Sequence, residues 1–172
     1  MAGINISTVR KEIPVFILHE DPEQWGLSRI IKKHRKKHPE SYKSNVNAWH
    51  SAWDTHKINH KFDPFVEHLV SACEFIMAGY YDHDAKLNCK DFWVMQYEKG
   101  DSAEQHQHFP YTFACAYYVD AEEGCSPIIF EGKLEIPAET GKLIIFPAYL
   151  KHEVPPTDSK RTVISANICL TN

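Results

Sequence analysis

The chain has 172 residues, 43% of them hydrophobic and 24% charged, a composition typical of one soluble globular domain rather than a disordered or fibrous protein. Its net charge of −4 offers no overall attraction to nucleic acid, and no apolar run approaches the roughly 20 residues of a membrane-spanning helix. The five cysteines are scattered without a C-x-x-C pair, which favours reduced thiols in a cytoplasmic protein.

The N-terminal part, residues 20–80 approximately, is predicted to be helical after a short opening strand. No basic region followed by an apolar segment opens the chain, so we expect no signal peptide. The apolar run Ile13–Leu18 predicts the strand. Asp21 and Pro22 have the residue types of a helix start, and this helix is predicted to end at about His38, just before a proline.

A dense basic run, Lys32–Lys37, forms the tail of this predicted helix. Cations near a helix C-terminus interact favourably with its dipole, and we therefore favour a solvated helix face. A docking patch for nucleic acid or for an acidic partner is the alternative interpretation.

Residues 40–62 are polar and irregular, but they contain Trp49, His50 and Trp53. The tryptophans either cover the core, which is the more common use of this residue, or belong to a lid beside the substrate.

Asp63 and Pro64 repeat the helix-start signal, and an amphipathic stripe predicts a second helix that ends near Gly79.

From Asp91 onwards the sequence becomes strand-like. Short apolar runs are separated by turn residues, and they are predicted as strands at 92–97, 112–119, 127–130, 133–136, 143–146 and 162–170. Six or more short strands over about 80 residues suggest an antiparallel sandwich or jelly roll, with a core at about 91–170. Gly-rich phosphate loops are absent from the sequence, which disfavours a nucleotide-binding enzyme.

Three histidines and one arginine form the candidate site. His106 and His108 are one residue apart and project from the same side if the backbone is extended. His152 follows an apolar strand, and Arg161 re-enters a strand nine residues later. Imidazoles suit iron, zinc, copper and nickel, and an inward guanidinium can bind a carboxylate bidentately. The pattern predicts a mononuclear metal site, with one face open, beside an anion clamp.

These residues carry a resemblance to a known family. Y-x-x-G-x5-H-x-H from Tyr97, G-K-L-I-I-F-P-x-x-x-x-H-E-V-P-P from Gly141, and R-x-x-x-x-x-N-I from Arg161 resemble the Fe(II)/2-oxoglutarate-dependent oxygenase superfamily. The likeness is nearest to a small group of such proteins in bacteria and phages, and is most specific over residues 93–168.

The resemblance implies a double-stranded β-helix (jelly-roll) core in a single domain, 1–172. It also implies Fe(II) held by His106 and His152, with O2 and 2-oxoglutarate as co-substrates and Arg161 clamping the distal carboxylate. The expected activity is hydroxylation of an unidentified substrate.

The sequence departs from the family pattern at two positions. His108 stands where the family has Asp or Glu, so that the predicted ligand set becomes His106, His108 and His152. Val163 stands where many relatives have serine. The co-substrate contacts are therefore expected from Arg161 with a tyrosine, either Tyr97 or Tyr117. On the arginine's own strand, the side chains of matching parity are Ser165 and Asn167.

Two other classes of protein remain open. A three-histidine metalloprotein, either a cupin-like dioxygenase or a zinc protein, would use the same ligands but leaves Arg161 unexplained. A metal-free jelly-roll binding module would use none of them. The substrate contacts are expected from Trp49, His50 and Trp53 and from the strand of Tyr117, and no feature of the sequence fixes the substrate or the oligomeric state.

Overall fold

The structure, a computed structural model, describes residues 12–171. The expectation that the chain starts without a signal peptide concerns residues outside this range. Within it, no helix is long and apolar enough to cross a membrane.

The described residues form three α-helices and ten β-strands. The helices are α1 (Leu27–Lys37), α2 (Thr55–Ile58) and α3 (Asp63–Tyr81), with a 3-10 turn at His60–Phe62. The strands are β1 (Phe16–His19), β2 (Trp49–His50), β3 (Leu87–Tyr97), β4 (Ala103–His106), β5 (Phe113–Ala121), β6 (Ile128–Phe130), β7 (Leu134–Ile136), β8 (Lys142–Pro147), β9 (His152–Val154) and β10 (Arg161–Leu170).

The strands lie in two antiparallel sheets. The larger has the order β1-β8-β5-β10-β3-β2, and the smaller has the order β4-β9-β6-β7. From β3 onwards the chain alternates between the two sheets, except at β6 and β7, which pair with each other in the smaller sheet. The expected mainly β class with N-terminal helices is confirmed.

The larger sheet is buried on both faces. One face packs against the helices, in a core that includes Phe65, Leu69 and Phe92. The other face packs against the smaller sheet, in a core that includes Trp93, Phe130 and Phe146. The second core, enclosed between the two sheets, is where the candidate site lies.

Two helix boundaries differ from the prediction. The first helix begins at Leu27 rather than at Asp21, because Gly26 has a φ of 60° that no continuing helix can contain. The Asp21 carboxylate instead accepts a hydrogen bond from the Glu23 N–H within a turn. The second predicted helix corresponds to α3, which ends at Tyr81, two residues after the predicted end near Gly79.

Candidate metal centre

His106 and His152 face each other across paired strands. β4 and β9 are antiparallel and place these two residues directly opposite, with ring centroids 4.3 Å apart. His108 lies just beyond the end of β4, where its N–H donates a hydrogen bond of 2.7 Å to the Ala148 carbonyl. Its ring centroid is 5.0 Å from that of His106 and 5.1 Å from that of His152. The short strand pair therefore brings all three predicted ligands together.

Backbone carbonyls fix the orientation of two rings. The Nδ1–H of His106 donates to the Glu104 carbonyl at 2.7 Å, and that of His152 donates to the Leu150 carbonyl at 3.0 Å. Each Nε2 is then an unprotonated acceptor, the form that binds a metal. One donor atom from each of the three histidines lies within 4.8 Å of the others. The arrangement is that of a mononuclear site.

Burial keeps these histidines neutral. Desolvation, followed by the neighbouring imidazoles of His152 and His106, lowers the pKa of His108 to about 3. Desolvation and the neighbouring His106 lower the pKa of His152 to about 4, and desolvation also lowers that of His106. At neutral pH all three rings offer lone pairs rather than positive charge, which suits iron, zinc, copper or nickel.

Within residues 12–171, no carboxylate belongs to this cluster. Glu104, two residues before His106, is exposed and contributes only its backbone carbonyl, and Glu153, next to His152, is also outside the cluster. The donor set is therefore three imidazoles.

Arg161 is a buried cation at the start of β10. Its side chain is 2% exposed, and its guanidinium carbon lies 4.2 Å from the ring centroid of Tyr97. Nη1 donates to the Ser126 carbonyl at 2.7 Å, whereas Nε has no partner. None of the ion pairs between described residues includes Arg161. A buried cation without a counter-ion is costly, and this one fits an anionic ligand.

The tyrosines beside Arg161 do not supply the missing charge. Burial raises the pKa of Tyr97 in spite of the adjacent guanidinium, and it raises that of Tyr118 to about 12. Both phenols are therefore neutral at physiological pH and contact the cation with their ring faces.

One cavity connects the histidines with Arg161. It encloses about 580 Å³, counted with its open mouth, and lies between the two sheets. Most of its walls are apolar, including Trp93, Met95 and Phe146. Tyr97 and Ser165, two of the residues predicted to contact the co-substrate, also line this cavity.

Two of the expected co-substrate residues lie elsewhere. Tyr117 faces the helices, where its ring centroid is 4.8 Å from that of Phe65, and its neighbour Tyr118 lines the cavity instead. Asn167 has the parity of Arg161 but lies near the far end of β10. Its amide donates to the Asp91 carboxylate at 2.9 Å, away from the cavity. Both expectations are corrected.

The expected substrate residues are divided between the two sides of β2. His50 and Trp53 line the cavity. Trp49 does not line it, and its expected contact with substrate stays a prediction. Its indole N–H donates to the carbonyls of Pro39 and Glu40, and its ring lies 4.8 Å from the guanidinium carbon of Arg35 on the helix side.

The fold is that of the 2-oxoglutarate–Fe(II) oxygenases. A collagen prolyl hydroxylase of Paramecium bursaria Chlorella virus-1, in complex with 2-oxoglutarate, matches with a TM-score of 0.66 and 18% identity over 90% of this chain and 94% of that one. A prolyl-4-hydroxylase of Pseudomonas putida matches with a TM-score of 0.70 and 10% identity, over 93% of this chain and 94% of that one. An oxidoreductase of the 2OG-Fe(II) oxygenase family from Burkholderia pseudomallei matches with a TM-score of 0.66 and 12% identity, over 90% of this chain and 85% of that one.

These likenesses establish the fold and, at such low identity, the fold alone. No protein-family model and no curated protein sequence matches the chain. The case for an activity therefore depends on the geometry of the site.

Proposed function

We propose that this protein is an Fe(II)- and 2-oxoglutarate-dependent oxygenase that hydroxylates its substrate. The observation that carries the proposal is the placement of three convergent, neutral imidazoles and one buried guanidinium without a counter-ion on the same cavity. A ligand with a metal-chelating end and a distal carboxylate satisfies both. The shared fold supports this assignment.

The residues present fit both groups. His106, His108 and His152 would hold the iron, and the unpartnered Nε of Arg161 would contribute to binding the distal carboxylate of 2-oxoglutarate. When bound, iron and 2-oxoglutarate supply the oxidation: O2 is consumed, 2-oxoglutarate becomes succinate and CO2, and one oxygen atom enters a substrate C–H bond.

The protein itself would position the metal ligands and the co-substrate, and would keep water out of the cavity. The carbonyls of Glu104 and Leu150 hold the His106 and His152 rings in one tautomer. Arg161 fixes the distance between the co-substrate's distal end and the histidines. The apolar walls exclude water, which strengthens every polar contact inside the cavity.

The test is a calorimetric titration of 2-oxoglutarate into anaerobic, Fe(II)-loaded protein, with metal-free protein as the control. We expect saturable binding that depends on the metal. Binding of equal strength without iron, or no binding with iron present, would contradict the proposal.

The second candidate is a three-histidine metalloprotein that does not use 2-oxoglutarate. It is favoured by one observation, the lack of a carboxylate in the cluster within residues 12–171. Such a protein would retain stoichiometric metal and ignore 2-oxoglutarate in the same titration. A protein that binds neither would be a jelly-roll binding module.

We further propose a cytoplasmic location. The support is the cysteine pattern: five cysteines, an odd number, are scattered along the chain without a C-x-x-C pair, which favours reduced thiols.

A further inference from the structure

Helix α1 concentrates positive charge on an otherwise acidic protein. It contains six Lys and Arg and no Asp or Glu, and all six are exposed. The rest of the chain has 13 Lys and Arg against 23 Asp and Glu, a net charge of −10. None of the six cations belongs to an ion pair between described residues. The low net charge of the whole protein therefore conceals one strongly basic face.

This face borders a groove between α1 and the segment made of α2 and the 3-10 turn. Five cations line it: Arg29, Lys33, Lys36, Lys37 and Lys61. Among the described residues 12–171, no carboxylate lines it, and its apolar residues are Ile30 and Ile58. Phosphates are attracted to such a row of unpaired lysines and arginines. We call this feature the basic groove.

One chain segment, at the edge strand β2 of the larger sheet, separates the cleft beside the basic groove from the metal cavity. A smaller cleft shares His34, His38 and Ile58 with the groove and reaches Ser51 and Ala52. In the chain these two residues lie between His50 and Trp53, which line the metal cavity. A strand of ligand in the groove would therefore approach the cavity along the β2–α2 segment.

The wall of the metal cavity nearest this segment is aromatic. Trp53 is 39% exposed, and its ring centroid lies 4.7 Å from that of Trp93 and 4.5 Å from that of His50. His50 is fully buried. Its Nδ1–H donates to the Ser51 carbonyl at 2.6 Å, which leaves Nε2 as a buried acceptor without a partner. A flat group that carries an N–H donor matches this wall.

We propose that the basic groove binds the backbone of a single-stranded nucleic acid and directs a base to the aromatic wall of the cavity. Sites for single strands combine a row of cations with aromatic rings on which bases stack, and both are present here. An acidic peptide would use the cations but leave the aromatic rings and the His50 acceptor without a role. Presentation of the base to the metal rests on the proposed function, whereas binding in the groove does not.

The test measures the anisotropy of a fluorescein-labelled DNA strand of about 12 nucleotides, a length within the usual range for such sites. The variant is Lys33→Glu with Lys36→Glu. Its matched control is Lys90→Glu with Lys133→Glu, the same charge change at exposed lysines that border neither the groove nor the cavity. Metal-free protein is used, so a failure of the oxygenase proposal would not affect the result.

We expect the groove variant to bind the strand about tenfold or more weakly. The salt slope, which is the decrease of log affinity with log salt concentration, should become less steep by about 1.4, or about 0.7 for each lost phosphate contact. The control should bind like the wild type. Equal weakening in both variants would show unspecific attraction and overturn the proposal. Equal competition by oligo-glutamate of the same charge would also overturn it, in favour of an acidic peptide.

A second variant tests the aromatic wall. Trp53→Ala leaves every cation in place, so we expect weaker binding of the strand with an unchanged salt slope, because a lost stacking contact releases no counterions. Unchanged affinity in this variant would show that the strand does not reach the cavity, and would contradict the second half of the proposal.

Discussion

In the proposed metal centre, His108 would determine the charge of the ligand set. Together with His106 and His152 it forms a set of neutral donors, and in residues 12–171 no carboxylate offsets the charge of a divalent ion. Such a centre stays more positive than one with a carboxylate ligand. The identity of this single side chain therefore affects both the affinity for metal and the choice of metal.

We expect His108→Asp to retain or raise the affinity for Fe(II), because a carboxylate adds a negative charge where the wild type has none. His108→Ala should lower it, since one of three donors is lost. Anaerobic Fe(II) titration of the three proteins gives the comparison. If His108→Ala binds iron as well as the wild type while His108→Asp does not, His108 is not a ligand.

Some residues of the cavity could be predicted from the sequence, and others could not. The four residues that define the site, His106, His108, His152 and Arg161, were predicted from types and spacing, and the structure brings them to one cavity. The sequence could not show that Tyr117 faces the helices, because β5 is buried on both faces and its apolar sequence carries no alternation between its two sides.

At the scale of elements, the two strands that position the histidines, β4 and β9, were not predicted from the sequence. β4 has four residues and β9 has three, too few to show a period of two. The strands β5, β8 and β10 were predicted close to their observed bounds because their apolar runs are long. β3 begins at Leu87, five residues before its predicted start, because its first part is polar and carries no apolar run. Pairing across the sheet, rather than local sequence, creates the short strands.

The turn before β8 contains a glycine that the fold requires. Gly141 has a φ of +82°, and a Cβ atom there would lie 2.5 Å from the Glu20 carbonyl oxygen. The Gly141 carbonyl also accepts a hydrogen bond of 2.8 Å from the Glu20 N–H, which ties the end of β1 to this turn. The close approach of two backbones leaves no room for a side chain.

We therefore expect Gly141→Ala to lower the free energy of unfolding by about 1–3 kcal/mol, through an unfavourable φ and a clash with backbone. Urea denaturation measures the change. The control is Gly79→Ala in α3, where an added Cβ meets nothing within 4 Å, and a gain of about 0.5–1 kcal/mol is expected there. Equal effects at both positions would contradict this interpretation of the turn.

At the scale of the whole molecule, buried neutral histidines link stability to pH. Desolvation is the largest cause that lowers the pKa of six of them: His34, His50, His56, His106, His108 and His152. Between the lowered folded values and the unfolded value of about 6.5, the unfolded chain binds more protons than the folded one. Acidification through this range therefore favours unfolding.

We expect the metal-free protein to lose stability as the pH falls below about 6.5, by up to about 1.4 kcal/mol per pH unit for each histidine still neutral in the fold. Urea midpoints at pH 7 and pH 5 measure the effect. His108→Gln should reduce this pH dependence, whereas His83→Gln, at an exposed position, should not. A pH dependence equal in all three proteins would contradict the linkage to the buried site.

We propose that an iron ion held by the three histidines binds one end of 2-oxoglutarate and that Arg161 binds the other end. The most direct test is the affinity for 2-oxoglutarate, measured anaerobically in the wild type and in Arg161→Ala, each with and without Fe(II). We expect the wild type with iron to bind tightly. Loss of the guanidinium should weaken that binding by about 2–5 kcal/mol, while the protein keeps its iron. An Arg161→Ala variant that retains both its iron and the wild-type affinity would show that Arg161 is not the carboxylate clamp and would contradict the account.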